Sequence, residues 1–353
     1  MAKAKKINGI DCHGAAVDAL GPVLITRLKE MCSVRERALK WSDPEGVHDM
    51  RVSSRRLRGA LSDFAPYLGK RGLTKAVKQI KSMAHALGEV RDQDVAIMGL
   101  QKLAANAPEQ AKATLGQFIK ARDIIRKKAR TDLRNALALT RLKQIESDFA
   151  EAINAATNKS KIRKKPSKSG SEITYIEMAR SIVSERLKEL EKLSKSFYHP
   201  LNVKPLHKMR IAAKRLRYAL ELFEECLGPG TTFFARKVAG LQTSLGELND
   251  CDIWLETFGH RLKVTSGDAS KDRMAGSLWL LSHFVRLHSR HLRSSLARWE
   301  EWERLELGNQ LRELLKGPIS ESTVPPIADA ENIPAASNPD GLLHEEETLP
   351  PQE

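Results

Sequence analysis

Two segments of the chain place a histidine and several cations at helical spacing. Residues 47–61 read VHDMRVSSRRLRGAL, and residues 206–220 read LHKMRIAAKRLRYAL. At about 100° per residue, one histidine and three cations of each segment fall within a fan of about 80° on one helix face. These residues are His48, Arg51, Arg55 and Arg58 in the first segment and His207, Arg210, Lys214 and Arg217 in the second.

Such a face suits an anionic ligand better than it suits a structural helix. No acidic residue is interleaved on it, so its like charges repel one another. Guanidinium groups make paired hydrogen bonds to phosphate oxygens, and a lysine supplies a compact positive charge. Most runs of charge in proteins are solvated helix surfaces. Here the pattern favours a row of phosphate contacts instead. Arg56 and Arg215 fall on another side of the helix and receive less weight.

Basic residues on other predicted helices are further candidates for phosphate contacts, although a solvated surface explains them equally well. They are Lys78, Arg126, Arg130, Arg236, Arg286 and Arg290. The run RDQD at 91–94 and its counterpart NDCD at 249–252 contain carboxylates. We expect these to hold helices together through salt bridges or hydrogen bonds, with a metal site as the less favoured interpretation.

The two segments belong to a longer repeat. They align without a gap at an offset of 159 residues (His48 to His207), and the match continues to Phe64 and Phe223. A second phrase, LGEVRDQDV at 87–95, matches LGELNDCDI at 245–253 at nearly the same offset. Two phrases repeated in the same order predict an internal duplication.

Helical periodicity runs through both predicted copies, and no alternating, strand-like pattern interrupts it. The expected helices span 15–40, 45–67, 73–103 and 108–150, then 174–198, 204–226, 231–262 and 268–315. Pro44 and Pro205 suit first turns, while Gly69 and Gly228 suit helix ends. Four helices per copy with short connections predict an all-α fold of two four-helix bundles.

Charge and composition divide the chain further. The net charge is +15, and residues 317–353 hold eight acidic residues without any Lys or Arg, so the preceding part carries +23. Such an excess indicates a polyanionic partner. We expect a first half at 10–155, a basic linker at 156–172, a second half at 173–316 and a disordered, acidic, Pro-rich tail at 317–353.

The cysteines and hydropathy bear on location. Cys12, Cys32, Cys226 and Cys251 show no metal-ligand spacing and are expected to be reduced thiols of a cytoplasmic protein. No apolar run approaches the 18 or so residues that span a bilayer, and no secretory signal is apparent, so no membrane partner is expected. The sequence specifies no oligomeric state.

The two His-led phrases, each followed by an LGE…DxD phrase, resemble the two halves of a CHAD domain (conserved histidine α-helical domain) over about residues 10–315. The resemblance implies two four-helix bundles related by a pseudo-two-fold axis. It also implies a basic central groove that binds inorganic polyphosphate, and association with polyphosphate granules in bacterial cells. The family's basic residues correspond to the two sets of four listed above. Asn249 replaces the Arg91 of the first copy, which puts the symmetry of the supporting salt bridges in doubt.

Three functions compete at this stage. The first is binding of polyphosphate without catalysis and without a cofactor. The second is sequence-independent nucleic-acid binding, but single-strand readers mix aromatic and basic residues, and the nearest aromatic here is Tyr218. The third is a phosphate-transfer enzyme acting through His48 or His207, but a Gly-rich phosphate loop, a nucleophile motif and a compact metal cluster are all missing from the sequence. The pattern favours the first function.

Overall fold

The computed structural model describes residue 7 and residues 9–68, 73–160, 172–265 and 271–317. Within these ranges the chain is all-α: it forms twelve α-helices and one 3-10 helix (Ser194–Tyr198), and no β-strand. The helices are α1 (Ala16–Cys32), α2 (Arg35–Ala38), α3 (Pro44–Phe64), α4 (Leu73–Ala105), α5 (Glu109–Ala136), α6 (Leu139–Ser160), α7 (Tyr175–Lys192), α8 (Val203–Leu222), α9 (Glu224–Leu227), α10 (Gly230–Thr265), α11 (Lys271–Arg304) and α12 (Leu307–Lys316).

Helix α3 begins where local chemistry favours a start. The Asp43 carboxylate accepts a hydrogen bond from the Glu45 backbone N–H at 3.0 Å, and Pro44 occupies the first helical position. Both features satisfy or remove free donors of the first turn. Met50 and Leu57 on the apolar face of the helix are fully buried. The basic face next to them is therefore held by a well-anchored helix.

Several predicted helices are each two helices in the structure. The predicted helix 15–40 is α1 and α2, and 108–150 is α5 and α6. The predicted helix 268–315 breaks into α11 and α12 at Glu306, whose φ of 49° is left-handed. Gly228, with a φ of 88°, ends α9 as predicted for a helix stop.

The predicted boundaries fall partly outside the described residues. Helix α6 continues to Ser160, which lies inside the predicted linker. Gly69, the rest of the linker at 161–171 and the tail from residue 318 lie outside the described residues.

The His-led phrases lie on α3 and α8, which pack against each other. Helix α3 also packs on α4, and α8 packs on α10, so each is backed by the helix that carries an LGE phrase. A large core joins residues from both predicted copies, and a smaller one lies between α4, α5, α10 and α11. Both basic faces therefore belong to helices that pack against each other.

Two segments that correspond to each other at the offset of 159 residues are joined by backbone hydrogen bonds. The Ala16 backbone N–H donates to the Ile173 carbonyl at 3.0 Å. Reciprocally, the Tyr175 N–H donates to the Gly14 carbonyl, also at 3.0 Å. Reciprocal contacts between equivalent residues are the mark of a two-fold axis. The pairing supports the predicted duplication.

Equivalent residues also meet where α3 and α8 pack. The ring centroids of Phe64 and Phe223 are 6.2 Å apart. A Cβ atom on Gly59 would lie 3.8 Å from the Cβ of Tyr218, its counterpart at the same offset. These contacts between equivalent residues also support the predicted two-fold relation.

The prediction of four reduced cysteines is wrong for two of them. Cys12 and Cys226 form a disulfide with a Cα–Cα distance of 5.5 Å, whereas Cys32 and Cys251 are free. The segment before α1 runs beside the start of α7, and the Cys12 carbonyl accepts a hydrogen bond from the Ile176 N–H. This long-range pairing brings residue 12 to the end of α9, which the sequence spacing does not reveal.

No helix in the described ranges is both long enough and apolar enough to cross a membrane.

Candidate anion-binding site

Five of the predicted cations converge in one place, which we call the central cluster. Its members are Arg51, Arg55 and Arg58 from α3 and Arg210 and Lys214 from α8. Lys214 lies in the electrostatic field of all four guanidinium groups. Burial and these four charges lower the pKa of Lys214 to about 7. The two His-led phrases therefore line a single site.

The same field acts on the arginines. Burial, followed by the neighbouring charge of Arg51, lowers the pKa of Arg55 and of Arg58. Burial also lowers the pKa of Arg210, and the nearby Asp250 partly offsets this effect. Each shift means that the protein environment disfavours the positive charge. An anion bound among these groups would relieve that cost.

Only part of the cluster is neutralised by the protein. Arg51 donates to the Asp92 carboxylate at 2.5 Å and to the Gly88 carbonyl at 3.2 Å. Arg55 lies beside the Tyr218 hydroxyl. Among the described residues, Arg58 and Lys214 make no ion pair or hydrogen bond, and the Arg210 Nε is buried without an acceptor. These groups have unused capacity for hydrogen bonds to phosphate oxygens.

Arg217 does not join the cluster that its position in the repeat predicted. Its side chain is only 3% exposed, and its Nε lies 3.0 Å from Glu221 Oε1. Its guanidinium also covers the Tyr218 ring at 5.1 Å. The cause is an acid one helical turn further on, which draws Arg217 along the helix and into the protein.

The two histidines occupy different surroundings. His48 is half-buried, and burial followed by the nearby Arg91 charge lowers its pKa, although Glu45 and Asp49 act in the opposite sense. His207 is exposed, and its Nδ1 donates to the Asn249 Oδ1 at 2.7 Å. The replacement of Arg91 by Asn249 thus changes the group that each histidine faces.

The repeated DxD phrase holds helices together, as its mixed charges predicted. Asp94 on α4 accepts from Arg126 at 3.4 Å and from Arg130 at 3.3 Å, both on α5. Asp252 on α10 lies 3.1 Å from the His288 Nε2 on α11. The second aspartate of each phrase therefore fixes the helix that follows it.

A model of the CHAD domain matches residues 23–259, which is two thirds of the chain. The chain belongs to the CHAD domain family. It is 25% identical over 222 residues to an uncharacterized protein of Mycobacterium tuberculosis (strain CDC 1551 / Oshkosh). That match covers 61% of this chain and 40% of the mycobacterial protein, so the chain corresponds to less than half of that relative's length.

Two solved structures share this CHAD fold. The crystal structure of the CHAD domain from the plant Ricinus communis superimposes with a TM-score of 0.61 at 21% identity. The superposition covers 84% of this chain and 96% of the plant domain. PptA from Streptomyces chartreusis gives a TM-score of 0.60 at 14% identity, over 81% of this chain and all of PptA. At these identities the likeness establishes the fold alone.

The other predicted cations of this CHAD chain lie apart from the central cluster. Arg126 and Arg130 are engaged by Asp94, and Arg130 also stacks on Trp41 at 5.1 Å. Four others are exposed on α4, α10 and α11, and no described interaction joins them to the cluster: Lys78, Arg236, Arg286 and Arg290.

Two ion-pair networks were missed by the sequence reasoning. Arg56, which received little weight, is buried and forms an ion pair with Glu30, with 3.5 Å between its Nη1 and the Glu30 Oε1. Its counterpart Arg215 pairs with Glu189 at 2.5 Å. Both pairs obey the offset of 159 residues, and this repetition of charge was the available signal. These arginines tie α3 and α8 to the helices behind them.

One group of side chains has the spacing of metal ligands. Oxygen or nitrogen atoms of Glu45, His48 and Asp49 lie within 4.8 Å of one another. However, Asp49 pairs with Arg37 at 2.8 Å, and Arg91 lies 4.0 Å from Glu45. Because arginines already meet these carboxylates, the group does not fit a cation site well.

Proposed function

We propose that this CHAD protein binds inorganic polyphosphate at the central cluster and does not act on it catalytically. The observation that carries the proposal is the convergence of five cations from α3 and α8, of which Arg51 alone has a carboxylate ion pair among the described residues. A polyanion that crosses the α3–α8 interface would contact both helices at once. Engagement of both helices by one chain would raise its affinity over that of a short phosphate.

The chemistry of the cluster favours a phosphate chain over a nucleic acid. Proteins that bind single strands supply exposed aromatic rings on which bases stack. Tyr218, the aromatic residue beside the cluster, is 7% exposed and is covered by Arg217. A polymer that presents only phosphates needs no such platform.

Exposed cations away from the cluster would extend the path of a long chain. Lys78 on α4, Arg236 on α10, and Arg286 and Arg290 on α11 would serve this role in the proposal. Such multiple contacts would recruit the protein to polyphosphate granules, which the family resemblance implies.

The test is a binding assay with polyphosphate of defined lengths, run over a salt series and in competition with double-stranded DNA at equal phosphate concentration. We expect affinity to fall log-linearly and steeply with salt, by analogy with the counterion release measured for nucleic acids. Polyphosphate should outcompete DNA, and the protein should release no phosphate with or without Mg²⁺. Equal binding of both polymers, or phosphate release, would contradict the proposal.

A pair of matched variants locates the site. Arg58→Gln with Lys214→Gln removes two cluster cations, whereas Lys143→Gln with Lys188→Gln removes two exposed lysines of α6 and α7. Both variants remove two basic side chains, and the assay is run below pH 7, where Lys214 is mostly charged, so that the two changes in net charge are similar. Only the first should weaken binding strongly and flatten the salt dependence. Equal losses in the two would mean that net charge, and not the cluster, drives binding.

A further inference from the structure

Lys214 combines three features of a reactive amine. It is partly exposed at the junction of α3 and α8, so a small reagent can reach it. Among the described residues, no carboxylate pairs with its Nζ. Burial and the field of the surrounding guanidinium groups lower its pKa to about 7. At pH 7 the Lys214 amine is therefore neutral in roughly half of the molecules. The cluster therefore contains a nucleophile as well as cations.

The charged groups around Lys214 create a positive field that would attract an anion. Helix α3 contributes Arg51, Arg55 and Arg58, and α8 contributes Arg210. Two carboxylates from the backing helices, Asp92 on α4 and Asp250 on α10, act on Arg210. Since Asp92 is engaged by Arg51, the field at Lys214 stays positive. A phosphate group attracted to these cations would come near the Lys214 amine.

We propose that Lys214 is a site of acylation by small acyl phosphates, whose phosphate groups the surrounding arginines bind. The inference rests on the anion-binding part of the proposed function but does not require polyphosphate to be the ligand.

The reaction needs no further component. The Lys214 Nζ lone pair attacks the carbonyl carbon, a C–N bond forms, and the bond from carbon to the bridging oxygen breaks. Inorganic phosphate leaves with the electron pair, and the nitrogen gives its proton to water. The arginines favour this step because negative charge grows on the leaving phosphate. The product amide is neutral, so the modification would remove one cation from the cluster.

The natural comparison is Lys208, which is exposed on the same helix. An ordinary lysine is mostly protonated at pH 7, which gives Lys214 an advantage on the order of a thousandfold in neutral amine. A less basic amine is also a weaker nucleophile, and by analogy with thiols this reduces the advantage to about tenfold or somewhat more. Binding of the reagent by the arginines increases the rate advantage of Lys214 over Lys208 only when the reagent carries a phosphate group.

The experiment treats the full-length protein with acetyl phosphate at pH 7 without polyphosphate, and quantifies each acetyl-lysine by mass spectrometry. A parallel sample receives a neutral reagent, the N-hydroxysuccinimide ester of acetic acid. We expect the Lys214 to Lys208 rate ratio to be at least about tenfold with acetyl phosphate. The ratio should be smaller with the neutral ester. Added inorganic phosphate should lower both ratios, and the acetyl phosphate ratio more, because it raises the Lys214 pKa and also competes with that reagent for the arginines.

Two results would overturn the inference: no preference for Lys214 with acetyl phosphate, or equal ratios with the two reagents. The polyphosphate assay is read separately on the same preparation. Selective acetylation without polyphosphate binding would contradict the proposal that polyphosphate is the ligand, but would support the acylation of Lys214. Polyphosphate binding without selective acetylation would support the proposed function and contradict the acylation of Lys214.

Discussion

The two copies of the His-led phrase give different chemistry to one site. Arg58 in the first copy is exposed in the central cluster, whereas its counterpart Arg217 is buried against Glu221. The residue one turn further on decides between these outcomes, since it is Ser62 after Arg58 and Glu221 after Arg217. A repeated basic residue is therefore exposed at the proposed binding site in one copy and buried in the interior in the other.

The histidines differ in the same way. His48 is half-buried beside Arg91, while the exposed His207 donates to Asn249. The backbone contacts obey the two-fold relation closely, but the charges do not. The comparison teaches that an approximate symmetry axis can bring two helices to one site without making them equal partners there.

The largest expected effect concerns stability. Arg217→Ala removes a buried guanidinium and leaves Glu221 without its i+4 partner. We expect a loss of roughly 1–3 kcal/mol in the free energy of unfolding, because the variant loses the packing of the buried side chain on Tyr218 and one ion pair, while Glu221 keeps Arg56 at 3.8 Å. Chemical denaturation would measure it. Arg58→Ala is the matched control and should change stability by no more than about 0.5 kcal/mol; equal losses would remove the distinction between the copies.

The next effect concerns pH and Lys214. Bound phosphate should raise the Lys214 pKa above its free value of about 7. The extra affinity is then fully present below the free pKa and is lost as pH rises through the bound pKa. Polyphosphate affinity should therefore fall from pH 7 upward. In Lys214→Arg the charge persists, so the fall should be much shallower, and an unchanged profile would show that another group titrates.

The smallest effect concerns the histidines. Burial and Arg91 lower the pKa of free His48 below its ordinary 6.5, and a bound phosphate would raise it. Affinity from this group is present below the free pKa and lost as pH rises through the bound one. We expect His48→Gln to reduce the pH dependence of affinity around the ordinary histidine pKa of about 6.5. Parallel affinity profiles for His48→Gln and the unmodified protein would leave His48 a packing or neutral hydrogen-bonding role.

His207→Gln is the comparison for that measurement. His207 is exposed and faces the uncharged Asn249, with 2.7 Å between its Nδ1 and the Asn249 Oδ1, so it lacks the arginine that lies beside His48. We expect His207→Gln to change polyphosphate affinity less than His48→Gln does. A larger change from His207→Gln than from His48→Gln would reverse the assignment of the two histidines.

Local patterns predicted the helices and most of the central cluster. The 3.6-residue period placed Arg51, Arg55 and Arg58 on one face, and that face follows from α-helix geometry alone. The break at Glu306 was missed because the residue with the left-handed backbone is a glutamate, and the nearby Gly308 already lies inside the next helix. Periodicity thus predicts which side chains share a helix face, but it does not predict helix ends that lack a clear sequence signal.

Long-range contacts explain the remaining errors. The burial of Arg217 depends on Glu221 and on the packing of Tyr218 between α3 and α8, although an acid four residues away was a visible warning. The disulfide joins residues 214 positions apart, so spacing carried no information about it. That a single cluster forms at all depends on how α3 meets α8, which a helix-by-helix reading does not determine.

The Cys12–Cys226 bond also changes the connectivity of the molecule. It joins the segment before α1 to α9, and so it closes a covalent ring that contains the chain between the two predicted halves. A single proteolytic cut between residues 160 and 172, where several lysines and arginines offer trypsin sites, would open this ring without releasing either half. The nicked protein would be a two-chain molecule held by one sulfur bridge, and a reductant would be needed to separate its chains covalently.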